Sequence, residues 1–266
     1  MRHCYVLRVF TRGDTGGNHL GVVTDVTGLG DDSMQGIATD LGFSETIYLD
    51  WRDGGMPIAR IFTPATELPF AGHPLVGAAW LLSSMGPDTV SSILCGVGEI
   101  PFRVEGDTVW VDTPVVDHVT EATRAAEVAA AVGLPEPRRS WWASMPVPYL
   151  VMELESPQQV AEMPQPSFER LVAEEAGMTY VFARDDDRVT ARFFAPVAGV
   201  DEDPATGSAA AALAAVLRHE GEVSGALDIL QGDQVGHPST IALRWGDDAF
   251  TLGGAVRRDE VRVLDA

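Results

Sequence analysis

A segment of this chain occurs twice, and a repeat of this kind confines the fold to one built from two similar halves. Residues 59–82 read ARIFTPATELPFAGHPLVGAAWLL, and residues 191–217 read ARFFAPVAGVDEDPATGSAAAALAAVL. Each copy runs through a strand (Ala59–Thr63, Ala191–Ala195), a proline (Pro64, Pro196), an acidic loop, a glycine beside a polar residue, and an apolar helix. Pro64 aligns with Pro196 and Gly72 with Gly207, so the second loop is three residues longer. A fainter match joins residues 31–49 to residues 166–183, with Gly42 opposite Gly177 and Glu45 opposite Tyr180. Halves alike in apolar pattern and unlike in polar residues predict an asymmetric cleft between them.

Strand signals outnumber helix signals, and hairpin turns are common. The fold class expected is therefore α+β, with two pseudo-symmetric halves, each a curled, mostly antiparallel or mixed sheet around one central helix. Thr113–Pro114 marks the boundary, giving an N-terminal half at 1–113 and a C-terminal half at 114–255, with a strand at about 256–266 returning to the first. Asp32 or Ser33 caps a helix running to Leu41 and ended by Gly42. Pro74 opens a second helix to about Met85, because proline suits a helix start where its missing N–H has no partner to lose. Ala122–Val132 reads as a third helix. Pro135–Pro148 reads as an irregular stretch whose Trp141 and Trp142 form a pocket wall, core packing or an interface. Separate strands are expected at 249–252 and 260–264.

Composition removes whole classes of chemistry. All 18 basic residues are arginine, so no lysine is present to form a Schiff base or a phosphate-loop contact. The net charge of −21 argues against nucleic acid and anionic membranes as partners. Cys4 and Cys95 lie in apolar, strand-like stretches and read as small buried hydrophobes. The six histidines (3, 19, 73, 118, 219 and 237) show no metal-binding spacing. With no signal peptide and no apolar run able to span a bilayer, the chain reads as cytoplasmic and metal-free.

The polar residues of the repeat are the candidates for function. Gly72–His73–Pro74 and Thr206–Gly207–Ser208 each set a glycine and a polar side chain at a helix N-terminus, where free N–H groups and the macrodipole favour a carboxylate. Asp201, Glu202 and Asp203 precede the second turn, and Glu67 aligns with Glu202. Such a carboxylate can hold a substrate amine or orient His73. Glu45 stands in GFSETIYL at the mouth of an apolar strand, a position suited to proton exchange with a carbon acid. Each residue also has a plain structural reading: Ser208 as an N-cap, His73 as a satisfied loop histidine, the acids as solvated charge, and Glu45 as a strand-end carboxylate.

The strings GFSETIYL, RIFTPATELPFAGHPLVG and DEDPATGSAAAAL closely resemble the signatures of the PhzF-like phenazine-biosynthesis isomerases. The resemblance runs from the first strand to about QGDQVGHPS and covers nearly the whole chain. It implies the fold shared with diaminopimelate epimerase and proline racemase, a homodimer, a small carboxylic acid substrate and no need of a cofactor. It also implies that Glu45 is the general acid/base, that His73, Asp203 and Ser208 bind or orient the substrate, and that the backbone around Gly72 and Gly207 receives its carboxylate. The related racemases need a thiol at each helix start; here those turns hold Gly72–His73 and Thr206–Gly207. Proton transfer on one face, hence an allylic isomerisation as with trans-2,3-dihydro-3-hydroxyanthranilate, is what remains. A hydrolase or cyclase on the same scaffold and a non-catalytic binder of small acids are the rivals. The chain differs from the family pattern at His19, where GNP is usual, and at His237, where GRPS is usual.

Overall fold

Two helices, Gly72–Met85 and Gly207–His219, organise the molecule, and each is apolar on nearly every side. A helix hydrophobic all round has to be enclosed, and each of these lies within a curled sheet. The computed structural model describes residues 2–51, 55–85, 90–114, 118–144, 147–246 and 249–264.

In the first half Arg2–Val9 pairs antiparallel with Asn18–Val23, which runs parallel to Glu45–Asp50 with Leu20 opposite Glu45. Glu45–Asp50 then pairs antiparallel with Ile58–Phe62, and the sheet continues through Ser92–Cys95, Gly98–Glu105 and Thr108–Thr113. The second half repeats this order. Arg139–Ser144 pairs antiparallel with Pro148–Glu153, which runs parallel to Thr179–Asp185 with Val151 opposite Tyr180. Arg188–Ala195, Gly225–Gln231 and Ser239–Trp245 follow. This is the α+β architecture of two pseudo-symmetric, helix-centred halves.

One strand belongs to both sheets. Phe250–Leu264 pairs through Phe250–Ala255 with Thr108–Thr113 and, near Phe250–Gly253, with Ser239–Trp245. Its remainder, from Val256, pairs with Arg2–Val9. The sequence suggests two separate strands here, at 249–252 and 260–264, where the structure has one; Gly253 and Gly254 lie inside it. Those glycines permit close packing: a Cβ at Gly253 would stand 2.4 Å from the Trp110 ring, and one at Gly254 2.3 Å from Phe10.

Local chemistry sets the approach to the cleft. The helix Asp31–Leu41 begins with two acids, which favour its dipole, and stops at Gly42, whose φ of 66° is left-handed. Glu45 follows at once as the first strand residue. The first core helix starts at Gly72, two residues before Pro74, since a proline in the first turn still forfeits no helical bond. The third helix is shorter than expected, Ala125–Val132. Pro135–Pro148 is corrected more substantially. Arg139–Ser144 is a strand, its alternation carried by Trp141 facing the core and Trp142 only half-buried, and the Trp141 indole donates to Glu220 Oε1 at 3.0 Å. Trp141 is thus core packing. Among the described residues no helix is long and apolar enough to cross a membrane.

Candidate active site

The two core helices meet start to start. A Cβ built on Gly72 would fall 3.0 Å from the Gly207 Cα, and one on Gly207 equally close to the Gly72 Cα, with Leu252 packed against both. Only glycine allows backbones this near. Thr206, the residue before the second helix, makes no side-chain cap. The first N–H groups of both helices therefore face one small region, and both dipoles are positive there.

Glu45, Asp203 and Ser208 line one cleft at this junction. Its walls are apolar: Leu68, Pro69 and Phe70 from the first half, Val147, Met178, Phe193, Ala198 and Val200 from the second. His73 lies buried beside Glu45, with Nδ1 3.1 Å from Oε2. That Oε2 and the His73 Nε2 are both shut off from solvent without an aligned hydrogen-bond partner. Unsatisfied buried polar atoms are costly, and two of them on neighbouring side chains beside a cleft are the kind of exception that calls for an explanation. Burial works against an imidazolium, but the charge and close contact of Glu45, the charge of Asp203 and the His19 carbonyl outweigh it. The His73 pKa is raised above the ordinary histidine value.

Asp203 is the acid of its loop that reaches the cleft. Asn18 Nδ2 and the Ser44 hydroxyl each donate to its Oδ1 at 2.8 Å, and the Thr206 hydroxyl donates to its Oδ2 at 2.5 Å. Burial first, and the Glu45 charge second, push its carboxyl up to about 6, against the pull of His73, Thr206 and Ser44. Gln231 ties the loop down, donating 2.7 Å to the Asp203 carbonyl and 3.0 Å to Thr206 Oγ1. Glu202 turns the other way and pairs with Arg192 in the interior, while Asp201 is exposed. Glu67 pairs with Arg60 on the surface.

Asn18, Ser44, Gln231 and Tyr149 escaped the sequence reading as site residues, whereas Thr206 was already named in the second turn. Tyr149 donates its hydroxyl to Ser208 Oγ at 2.9 Å. Ser44 adjoins Glu45, and Asn18 adjoins His19, so nearness to residues already singled out was a signal for two of the four. His19 and His237 come together, ring centroids 5.2 Å apart edge to face, and His19 also stacks on Phe43. Cys4 and Cys95 are free and buried within strands. Among the described residues no group of three or more His, Cys, Asp or Glu is arranged to hold a metal ion.

Comparison with known proteins agrees with this architecture. The family model described as phenazine biosynthesis-like protein (PhzC-PhzF) matches residues 7–256. A relative from Pseudomonas chlororaphis, named trans-2,3-dihydro-3-hydroxyanthranilate isomerase, is 31% identical over 258 residues, covering 92% of this chain and 90% of its own. The crystal structure of the Bacillus anthracis phenazine biosynthesis protein of the PhzF family superposes with a TM-score of 0.83 at 20% identity, 99% of both chains being covered. A hydroxyproline epimerase from Agrobacterium vitis shares the fold at 13% identity, with a TM-score of 0.65 over 98% of this chain and 91% of its own. With its family model matched almost end to end and relatives named as isomerases over nine tenths of its length, the chain belongs to the phenazine biosynthesis-like family of isomerases.

Proposed function

We propose that this protein is a cofactor-independent isomerase that moves a proton on a small unsaturated or cyclic amino or hydroxy carboxylic acid, in the manner of trans-2,3-dihydro-3-hydroxyanthranilate, in secondary metabolism. The observation that carries the reading is the Glu45–His73 pair: a carboxylate 3.1 Å from a buried imidazole, with an oxygen free of aligned partners, beside two opposed helix starts. The helix N–H groups around Gly72 and Gly207, with Ser208, take the substrate carboxylate. That leaves the rest of a small ring against the apolar walls.

Glu45 then removes a proton from the substrate carbon. The electron pair shifts along the adjoining double bond, and Glu45 returns the proton to the far carbon of the allylic system on the same face. Nothing enters or leaves, so the step needs no redox partner. His73 and Asp203 hold Glu45 and the substrate in register: a raised imidazole pKa favours a charge-assisted contact with the carboxylate, and Asp203 is fixed by three donors. The one-base reading is supported by helix starts that carry Gly72–His73 and Gly207–Ser208 in place of thiols. A homodimer in the cytoplasm, with neither nucleic acid nor membrane as partner, completes the reading; the charge of −21 supports the last two exclusions.

The test is turnover of trans-2,3-dihydro-3-hydroxyanthranilate with product mass measured. The expected product has the mass of the substrate in ordinary water; in heavy water it carries deuterium to the extent that the proton on Glu45 exchanges with solvent before its return. A product heavier by one water would make the protein a hydrolase. Binding without any carbon-hydrogen exchange would make it a binding protein.

A further inference from the structure

Tyr149 occupies a place in the second half that the repeat makes meaningful. Leu20 stands opposite Glu45 in the first sheet, and Val151 stands opposite Tyr180 in the second. Glu45 and Tyr180 are repeat counterparts, so two residues back along each strand Asn18 corresponds to Tyr149. Both point a polar group into the same cleft region. Asn18 donates to Asp203 at 2.8 Å, and Tyr149 donates to Ser208 Oγ at 2.9 Å.

The chemistry of the two hydroxyls is not interchangeable. A phenol is a stronger acid than an aliphatic alcohol, so in a phenol–serine contact the phenol is the preferred donor. The Tyr149 side chain is buried, its ring packed on Phe193 with centroids 5.6 Å apart, and it lines the cleft. Burial leads in pushing that phenol up to about 12, the charges of Glu45 and Asp203 adding to it against the Ser208 bond, so the hydrogen stays on Tyr149. A serine hydroxyl carries one hydrogen and two lone pairs. Once Tyr149 fills a lone pair, the Ser208 hydrogen has nowhere to go within this contact and is available to the cleft.

We propose that Tyr149 is a positioning residue that fixes Ser208 as a one-way hydrogen-bond donor to a carboxylate oxygen of the substrate. The inference rests on the reading that the cleft binds a carboxylic acid. It divides the cleft's work between the halves: neutral donors on the Tyr149–Ser208 side grip the anion, and the ionisable Glu45–His73 pair faces the carbon that loses its proton. A merely structural tyrosine would affect stability whatever stood at 208. A positioning tyrosine acts only through Ser208.

A double-mutant cycle separates these. Tyr149→Phe, Ser208→Ala and the double variant are compared for benzoate binding by calorimetry, for turnover of trans-2,3-dihydro-3-hydroxyanthranilate, and for melting temperature. Tyr149→Phe is expected to weaken benzoate binding about three- to tenfold, the cost of one neutral hydrogen bond, and to raise KM more than it lowers kcat. In the Ser208→Ala background the same change is expected to do nothing further. Equal losses in both backgrounds, no loss from Tyr149→Phe, or a wild type that does not bind benzoate would each overturn the proposal. A cycle that holds on benzoate in a protein that leaves trans-2,3-dihydro-3-hydroxyanthranilate untouched would sustain this role and sink only the substrate reading.

Discussion

Arg60 grips Glu67 in the first half through two hydrogen bonds of 2.7 Å, and Arg192 grips Glu202 in the second through two of 2.8 Å. The pairs occupy equivalent places in the repeat, yet the first is 34% and 43% exposed and the second 3% and 2%. The buried arginine also donates to the Met163 carbonyl, where the exposed one reaches out to Asp31. The same divergence runs through the cleft, where Glu45 with His73 in one half faces Tyr149 with Ser208 in the other. Duplication has kept the backbone and its ion-pair geometry while surroundings and polar side chains have taken on different tasks.

The largest effect expected comes from making the two cleft pairs alike in charge. Glu45→Gln keeps the shape and one acceptor but cannot carry a proton, so kcat should fall by about 10²–10⁴-fold while benzoate binding and melting temperature change little. Near-normal turnover would mean the first half does not hold the base. Next in size is the buried clamp. Glu202→Gln strands the Arg192 charge in the interior and should cost about 3–5 kcal/mol in denaturant unfolding, whereas Glu67→Gln should cost less than about 1 kcal/mol in high-dielectric surroundings. Comparable losses would show that burial is not what separates the pairs.

The helix starts sharpen the comparison from the other direction, because here the halves should behave alike. Gly72→Ala and Gly207→Ala each drive a methyl into the opposing helix start and should each cost about 1–3 kcal/mol, together with weakened benzoate binding. The smallest effect is electrostatic. Asp203 sits at about 6 against an ordinary 3.8, so between those values the native state keeps a proton that the unfolded chain has lost. Its contribution to stability therefore falls as pH rises through that window, and the raised His73 adds a loss of the same sign as pH climbs through its own shifted value. Relative to Asp203→Asn, the wild type should lose a few degrees of melting temperature between about pH 4 and pH 7, at roughly 2–4 °C per kcal/mol.

What the sequence disclosed follows the same division. Gly72 and Gly207 were legible because close backbone approach leaves no alternative residue, and the repeat registered them against each other. Apart from the resemblance, Asp203 was legible only as one of three adjacent acids, since its direction depends on how Val200–Asp203 pairs with the strand beside it. Tyr149 was hidden, because its partner lies 59 residues away and nothing in a valine- and proline-flanked strand marks a cleft tyrosine. The strand Arg139–Ser144 was masked by surrounding prolines, although Trp141 and Trp142 already alternated. The single strand Phe250–Leu264 read as two, and its Gly253 and Gly254 serve the rings of Trp110 and Phe10 packed over them.

The strand Phe250–Leu264 carries a consequence for synthesis. Arg2–Val9 and Thr108–Thr113 both wait for it, and until it arrives each presents a row of unpaired backbone groups. At about 5–20 residues per second, the first strand remains without this partner for roughly 10–50 s after leaving the ribosome, a period in which open edges can recruit one another. Ribosomes that stall before residue 250 would release chains with two unsealed sheets rather than one finished half. Despite its duplicated plan, the molecule cannot be cut into two self-sufficient pieces at the middle of the chain, because both halves are closed by the same late segment.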